Sequence, residues 1–305
     1  MGLSILGHLG FAGGEVTFID QDVVVYLHGN GLAISDLTDL ANVGPTKFVT
    51  NNLECPLGIS AFTTSVPEHL VAFAPRSAEP CIHVLKYPQL DPLSVLRGGT
   101  DLEYESIAIS HNAKMLCAVS GPFDHHLYLW SLEIAQTLAK VAIGGNLATP
   151  CTWHNCSFSP KNSSMVCTGG SYGLVFWKVQ VVNDHKLQRI NAVIGSREDA
   201  AEDGNVLLDS ISAQCWTQNN LVLAVGRSSV MEFDAHSGIL TRLFPLAVAL
   251  QESLCLFVTA IEEIILLLFS NGIVQGIRTS TSGSTEFMLN VAKEPCSKYS
   301  WCSLL

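Results

Sequence analysis

A chain of 305 residues in which 48% are hydrophobic and only 14% charged has ample apolar material for a packed core and lies far from a disordered composition. Its formal net charge of -11 repels nucleic-acid phosphates and anionic lipid headgroups, so neither nucleic acid nor membrane is expected as a principal partner. The most apolar stretch, residues 246–269, is broken by Glu252, Glu262 and Glu263 and does not read as a membrane span.

Along the chain, triplets of short apolar runs separated by tight turns recur. The first is EVTFID, VVVYLHG and GLAISDL, with Gly29-Asn30-Gly31 as a hairpin turn; no helical run follows it, so it is not a dinucleotide fingerprint. GISAF, HLVAFAP and CIHVLKYP make the second, and SIAIS, KMLCAVSG and HHLYLWSL the third. Residues 155–179, NCSFSPKNSSMVCTGGSYGLVFWKV, give the clearest copy. Turns fall at residues 162–164 and 169–173, and Leu174, Phe176 and Lys178 alternate against Val175, Trp177 and Val179. In the fifth, ISAQCWT, NLVLAVG and SVMEFDAHSG, Phe233-Asp234 stands in the place of the Trp-Asp dipeptide of WD repeats. SLCLFVTA, EIILLLFS and GIVQGI close the series.

One such unit cannot bury its own faces, so the recurrence carries the fold assignment. Marking the end of each third run at Ser35, Lys86, Trp130, Trp177, Phe233 and Ile277 gives steps of 51, 44, 47, 56 and 44 residues. WD-type blades repeat at about 40–45 residues, with insertions placed in loops. The expectation is an all-β, WD40-type β-propeller of about six blades, one domain over residues 1–305 with its core in 14–292 and an irregular tail at 293–305. Trp130, Trp177 and Phe233 share one phase of the repeat and should be buried between neighbouring blades, with Asp234 as a structural repeat position. Propellers protect their edges by pairing one terminus into the blade of the other. Residues 3–11 are the candidate here, and the ring is expected to be incomplete or imperfectly closed, with a gap between the first and sixth blades.

Gly169-Gly170-Ser171-Tyr172-Gly173 matches the spacing of a nucleophile elbow, but LVFWKV after it is a strand pattern where the elbow requires a helix. Asp124, His125 and His126 beside Cys151, His154 and Cys156 lack the ligand spacing of a zinc site. No phosphate-cradling loop occurs. Neither metal, cofactor, small-molecule substrate nor catalytic residue is therefore expected, and the protein reads as a non-enzyme. Cys55, Cys81, Cys117, Cys167, Cys215 and Cys255 each lie alone in or beside a predicted strand, as small core residues. The N-terminus has no basic n-region, which favours a cytoplasmic chain with reduced thiols. The acidic insertion at 196–204 accounts for the longest repeat step; Ser196, Arg197, Glu198, Asp199, Glu202 and Asp203 form either a solvated loop or a partner-contacting one. Ser303-Leu304-Leu305 has the form of a PDZ-domain ligand.

In order and spacing, VTFIDQDVVVYLHGN, VAFAPRSAEPCIHVLKYP, LYLWSLE, NCSFSPKNSSMVC and AQCWTQNNLVLAVGRSSVMEFDAHSG resemble the N-terminal propeller of an axonemal WD-repeat family, that of cilia- and flagella-associated protein 43. Together these stretches span most of residues 14–290. The resemblance implies a scaffold of the ciliary and flagellar axoneme: a tether or tether-head subunit that links inner-arm dynein motor domains to the doublet microtubule and supports motility. It implies protein partners, namely dynein tether components and related WD-repeat subunits, on the cytoskeleton. Relatives continue into a second propeller and a coiled coil, which this sequence does not contain. The alternative is a generic intracellular WD-repeat adaptor, such as a ubiquitin-ligase substrate receptor or a trafficking component.

Overall fold

Each apolar triplet forms the inner three strands of a four-stranded antiparallel sheet in the computed structural model, which describes residues 16–38, 45–49, 57–121, 124–143, 153–171, 173–182, 184–192, 210–279 and 285–290. The first blade is β1 (Val16–Asp20), β2 (Val23–His28), β3 (Gly31–Asp36) and β4 (Pro45–Phe48). The second is β5 (Ile59–Ser65), β6 (Leu70–Pro75), β7 (Ile82–Lys86) and β8 (Asp91–Leu96). The third comprises β9 (Tyr104–Ile109), β10 (Met115–Ser120), β11 (His126–Ser131) and β12 (Gln136–Ala142). In the fourth are β13 (Trp153–Phe158), β14 (Met165–Gly170), β15 (Gly173–Val182) and β16 (Asp184–Asn191). The fifth has β17 (Ala213–Trp216), β18 (Leu221–Val225), β19 (Ser229–Asp234) and β20 (Leu240–Pro245). The sixth has β21 (Cys255–Ile261), β22 (Ile264–Phe269), β23 (Ile273–Arg278) and β24 (Thr285–Asn290). Every sheet is a meander, and the six are arranged as a β-propeller. Among the described residues the helical content is one 3-10 turn, Val248–Leu250.

A blade is packed on both sides, so its middle strands must be apolar in both registers. In β15, Leu174 and Phe176 enter the core shared with the fifth blade, whereas Val175, Trp177 and Val179 enter the core shared with the third. The alternation in LVFWKV is therefore an alternation between two cores, not between core and solvent. Five such inter-blade cores run from the first blade to the sixth.

Strand register fixes the phase of the repeat and corrects one marker. Ser35, Trp130, Trp177, Phe233 and Ile277 each pair with the second residue of the preceding strand: Val24, Leu116, Val166, Val222 and Ile265. In the second blade that position, opposite Val71, is Leu85. Lys86 sits one residue later, where the first and fifth blades have Asp36 and Asp234, because pairing with β6 sets the phase rather than the end of the apolar run. Leu85, Trp130, Trp177, Phe233 and Ile277 all point into the core shared with the preceding blade.

The junction of the sixth and first blades is built differently. Val16, Val24, Tyr26 and Ala33 form a cluster whose described members, with Phe18 and Leu37 against it, all belong to the first blade. At the phase position stands Ser35, whose hydroxyl lies 3.1 Å from that of Tyr26. No hydrophobic cluster joins the sixth blade to the first among the described residues. The expected closing segment, residues 3–11, lies outside the described residues, as do 291–305.

Candidate functional site

The inner strands β1, β5, β9, β13, β17 and β21 enclose a central channel of about 680 Å³. Its wall is rich in hydroxyls, including Thr17, Ser60, Thr64, Ser106, Ser157 and Ser212, with Glu105 as the charged lining residue. Three of these six hydroxyls hold neighbouring blades together. Thr64 Oγ1 donates across to the Phe18 carbonyl at 2.5 Å, the Cys156 N–H donates to Ser106 Oγ at 3.0 Å, and Trp216 Nε1 donates to Ser157 Oγ at 3.0 Å. Each of these bonds links one blade to the next. Ser60 and Ser212 donate to the Ala74 and Val225 carbonyls within their own blades. The channel wall thus reads as a seam of polar staples: Thr64, Ser60 and Ser212 already donate to carbonyls and Ser106 and Ser157 accept from a neighbouring blade, which leaves them poorly placed to act as nucleophiles.

The serine of the elbow-like motif, Ser171, lies in the turn between β14 and β15, with Gly170 paired to Gly173 and Gly173 at φ +87°. This is a strand–turn–strand unit, so the strand-to-helix geometry of a nucleophile elbow is not present. A second grouping by identity, Ser120, His126 and Asp124, occurs at the tip of the third blade. His126 Nδ1 lies 2.9 Å from Asp124 Oδ1, but the Ser120 hydroxyl is bonded to the His126 backbone N–H at 2.8 Å and not to its ring. The base is therefore not aimed at the hydroxyl, and the network instead buttresses a hairpin. Tyr128 donates to Asp124 Oδ2 at 2.8 Å, stacks on Trp130 with ring centroids 5.4 Å apart, and meets Lys140 Nζ at 4.9 Å over its own ring. Burial pushes the Asp124 carboxyl up, but hydrogen bonds from Tyr128, Thr100 and Ser120 and the neighbouring His126 outweigh it and leave it below the usual range.

Of the residues weighed against a zinc site, Cys151 lies outside the described residues, and so does the side chain of His154. Cys156 is buried against Ser106, with its Sγ 3.7 Å from Cys117 Sγ across the third and fourth blades. Cys117 is therefore not alone in its strand's surroundings: the core shared by the third and fourth blades brings residues 39 apart in sequence together. Among the described residues, no three His, Cys, Asp or Glu side chains gather into a metal-sized cluster.

The described cysteines are free thiols. Burial pushes Cys117 and Cys167 well above the ordinary thiol range and Cys255 up to about 12. At pH 8 the thiolate fraction at these three sites is negligible. Labelling the native protein with iodoacetamide, followed by peptide mapping, should modify the half-exposed Cys81 while leaving these three untouched until denaturant is added.

Asp234 terminates β19 as a turn-forming acceptor. Its carboxylate takes the N–H of His236 at 3.1 Å and of Ser237 at 3.2 Å and the Ser237 hydroxyl at 2.6 Å, and Gly238 follows at φ +75°. Asp36 does the same for Thr38 at the end of β3. Trp130 and Trp177 are fully buried; Trp130 Nε1 donates to the Arg97 carbonyl at 3.3 Å, and Trp177 Nε1 to Thr168 Oγ1 at 2.8 Å. Phe233 is fully buried and lies 6.5 Å from Phe176, centroid to centroid.

Because each blade is a meander with its first strand on the channel, all blade-to-blade connections emerge on one face of the ring. Three of them carry large exposed apolar side chains: Leu57 at 67%, Leu102 at 47%, and Val248 at 81% with Leu254 at 56%. The connection from β16 to β17 belongs to this set, and within it lie Ser196, Arg197, Glu198, Asp199, Glu202 and Asp203, outside the described residues. Exposed apolar side chains on this face suit contact with another protein. This face was not singled out by the sequence, because which loops share a face is decided only once the blades take their places in the ring.

No family model matches the chain. Among curated proteins it is similar to cilia- and flagella-associated protein 43 of Xenopus laevis, 26% identical over 209 residues, which are 68% of this chain and 12% of that protein. It is also similar to cilia- and flagella-associated protein 44 of Chlamydomonas reinhardtii, 30% identical over 107 residues, 34% of this chain and 6% of that protein. The chain thus spans a small fraction of the length of both relatives.

Proposed function

We propose that this propeller is a non-enzymatic docking scaffold of the ciliary and flagellar axoneme, a subunit of the tether and tether-head type that links inner-arm dynein motor domains to the doublet microtubule. The observation that carries the reading is the similarity over 68% of the chain to a protein named for cilia and flagella. Two physical features support it. Five of the channel hydroxyls, those of Ser60, Thr64, Ser106, Ser157 and Ser212, are engaged between or within blades, which suits a rigid platform better than a reaction centre. The apolar side chains Leu57, Leu102, Val248 and Leu254 crown one face, where the acidic insertion also departs. Partners on this reading are tether components and related WD-repeat subunits, met through that face and through the loop of Ser196, Arg197, Glu198, Asp199, Glu202 and Asp203.

A net charge of -11 disfavours direct association with the acidic tubulin lattice, so the doublet is reached through partner subunits. The purified protein should fail to co-sediment with bare microtubules at physiological salt, while a tagged copy in ciliated cells is retained in salt-washed axonemes. Tight binding to bare microtubules, or a tagged copy spread through the cytosol and missing from axonemes, would overturn the axonemal reading in favour of a general adaptor.

A further inference from the structure

We propose that the junction of the fifth and sixth blades holds a pocket for one lysine side chain of a partner protein, with Glu232 as the residue that receives its ammonium group. A carboxylate stands there at a position the fold otherwise keeps apolar. In the first four blades the residue paired with the third position of the preceding strand is Ile34, Val84, Leu129 or Phe176, and each enters the core shared with the blade that follows. In the fifth blade that residue is Glu232, paired with Leu223 and only 9% exposed. Taking a carboxylate out of water costs free energy unless a cation or several hydrogen bonds go with it. Glu232 Oε1 accepts from Thr241 Oγ1 at 2.8 Å and lies 3.7 Å from Arg242 Nε, outside hydrogen-bonding distance, while the Arg242 side chain is 55% exposed. Arg242 is thus a loose counter-ion.

Glu232 lines a cavity of about 130 Å³ whose walls include Leu221, Leu223, Ala260 and Ile265. It opens on the face of the ring opposite the blade-to-blade connections, beside the turns from β17 to β18 and from β21 to β22. At the phase position the third, fourth and fifth blades present Trp130, Trp177 and Phe233 to the blade before them; the sixth presents the smaller Ile277, paired with Ile265 of the cavity wall.

These features select the occupant. The volume is well below the roughly 300 Å³ from which pockets hold whole small molecules, so it suits a single side chain. Two carboxylates, Glu232 and Glu262, against one guanidinium favour a cation over an anion, and the net charge of -11 adds attraction for a basic partner. A lysine lays its aliphatic stem on the apolar wall and brings a compact charge to the carboxylate. Arginine fits less well, because Glu232 Oε1 already accepts from Thr241, which disfavours the two-oxygen grip of a guanidinium. On binding, the ammonium takes the place of Arg242, which turns out to solvent and loses little. Such a partner need not be axonemal, so the pocket stands or falls apart from the tether reading.

The test is an NMR titration of the full chain, labelled at isoleucine methyl groups, with the peptide acetyl-Gly-Lys-Gly-amide. The Ile265 methyl resonance should move saturably while that of Ile107, in the junction of the second and third blades, stays in place. The same peptide with its lysine Nε-acetylated should move neither. Glu232→Gln should weaken binding about tenfold or more through loss of the charge-assisted bond. Arg242→Ala, at an exposed position, should instead tighten it severalfold; together with the acetylated peptide it carries the test even if Glu232→Gln fails to fold. An Ile265 methyl that stays still or responds alike to both peptides, or an Arg242→Ala variant that binds no more tightly than the wild type, would overturn the proposal. So would binding of n-butylammonium without binding of the peptide, which would make the pocket a site for a free amine.

Discussion

Replacing Trp177 with Ala is expected to cost about 3–5 kcal/mol and to lower the apparent melting temperature of the domain by on the order of 10 °C. The indole is fully buried where the third and fourth blades meet, packed among Cys117, Leu127, Leu129, Cys156 and Val166. It is pinned at one edge by the 2.8 Å bond to Thr168 Oγ1, and Arg189 lies 5.7 Å over its ring. Truncation opens a cavity between two sheets that are held apart by their own backbones and can collapse only partly, while Thr168 loses a buried donor. Trp177→Phe refills most of the volume and forfeits only the hydrogen bond, so its loss should be distinctly smaller. Thermal scans of the wild type and both variants check the ordering; an Ala variant that melts with the wild type would show that the junction is not packed as described.

Gly238→Ala is expected to be nearly as damaging, through the backbone. The residue holds φ +75°, where an L side chain costs about 1–2 kcal/mol. A Cβ there would also meet the Asn191 carbonyl oxygen at the end of β16, well inside contact distance, with Ile190 close behind. That second term adds about 1–3 kcal/mol, because the turn made by Asp234 in the fifth blade is seated against the edge of the fourth and cannot retreat without losing its bonds. Gly29→Ala separates the two contributions. Its φ is +59° but nothing lies within 4 Å of the added Cβ, so only the conformational cost applies. Denaturant midpoints of the two variants should therefore differ by the steric part, and equal losses would refute the close approach of the two blades at Gly238.

How much of this protein could be read beforehand differs by strand. The inner three strands of every blade were visible because burial on both faces makes them continuously apolar, as in LVFWKV or IILLLF. The fourth strands were not singled out: β8, β12 and β20 lie on the rim with exposed positions such as Asp91, Gln136 and Arg242, and half-polar runs like DPLSVL do not stand out from loops. Lys86 was misplaced by one residue for a related reason, since an aliphatic stem at the end of a run looks apolar until pairing with Leu70 assigns its phase. At the candidate site, the residue types of an elbow were legible in Ser171 and those of a metal site in Asp124 and His126, whereas the grouping of Ser120 with His126 and Asp124 emerged only in the structure. What removed their chemical meaning was orientation, with the Ser120 hydroxyl turned to the backbone and Ser171 in a hairpin.

The sequence by itself determined the repeat, the strands that alternate into two cores, the turn chemistry of Asp36, Asp234 and Gly238, and the acidity that steers partners away from polyanions. Those are local or summed properties, set by side-chain polarity, spacing and backbone freedom. Tertiary structure alone decided what depends on the placing of the blades: the Cys117–Cys156 contact, the hydroxyl staples around the channel, the common face on which Leu57, Leu102 and Val248 are exposed, and the junction where Ser35 replaces a large apolar residue. Such pairings join residues tens of positions apart, and their geometry exists only once every blade has taken its place beside the next.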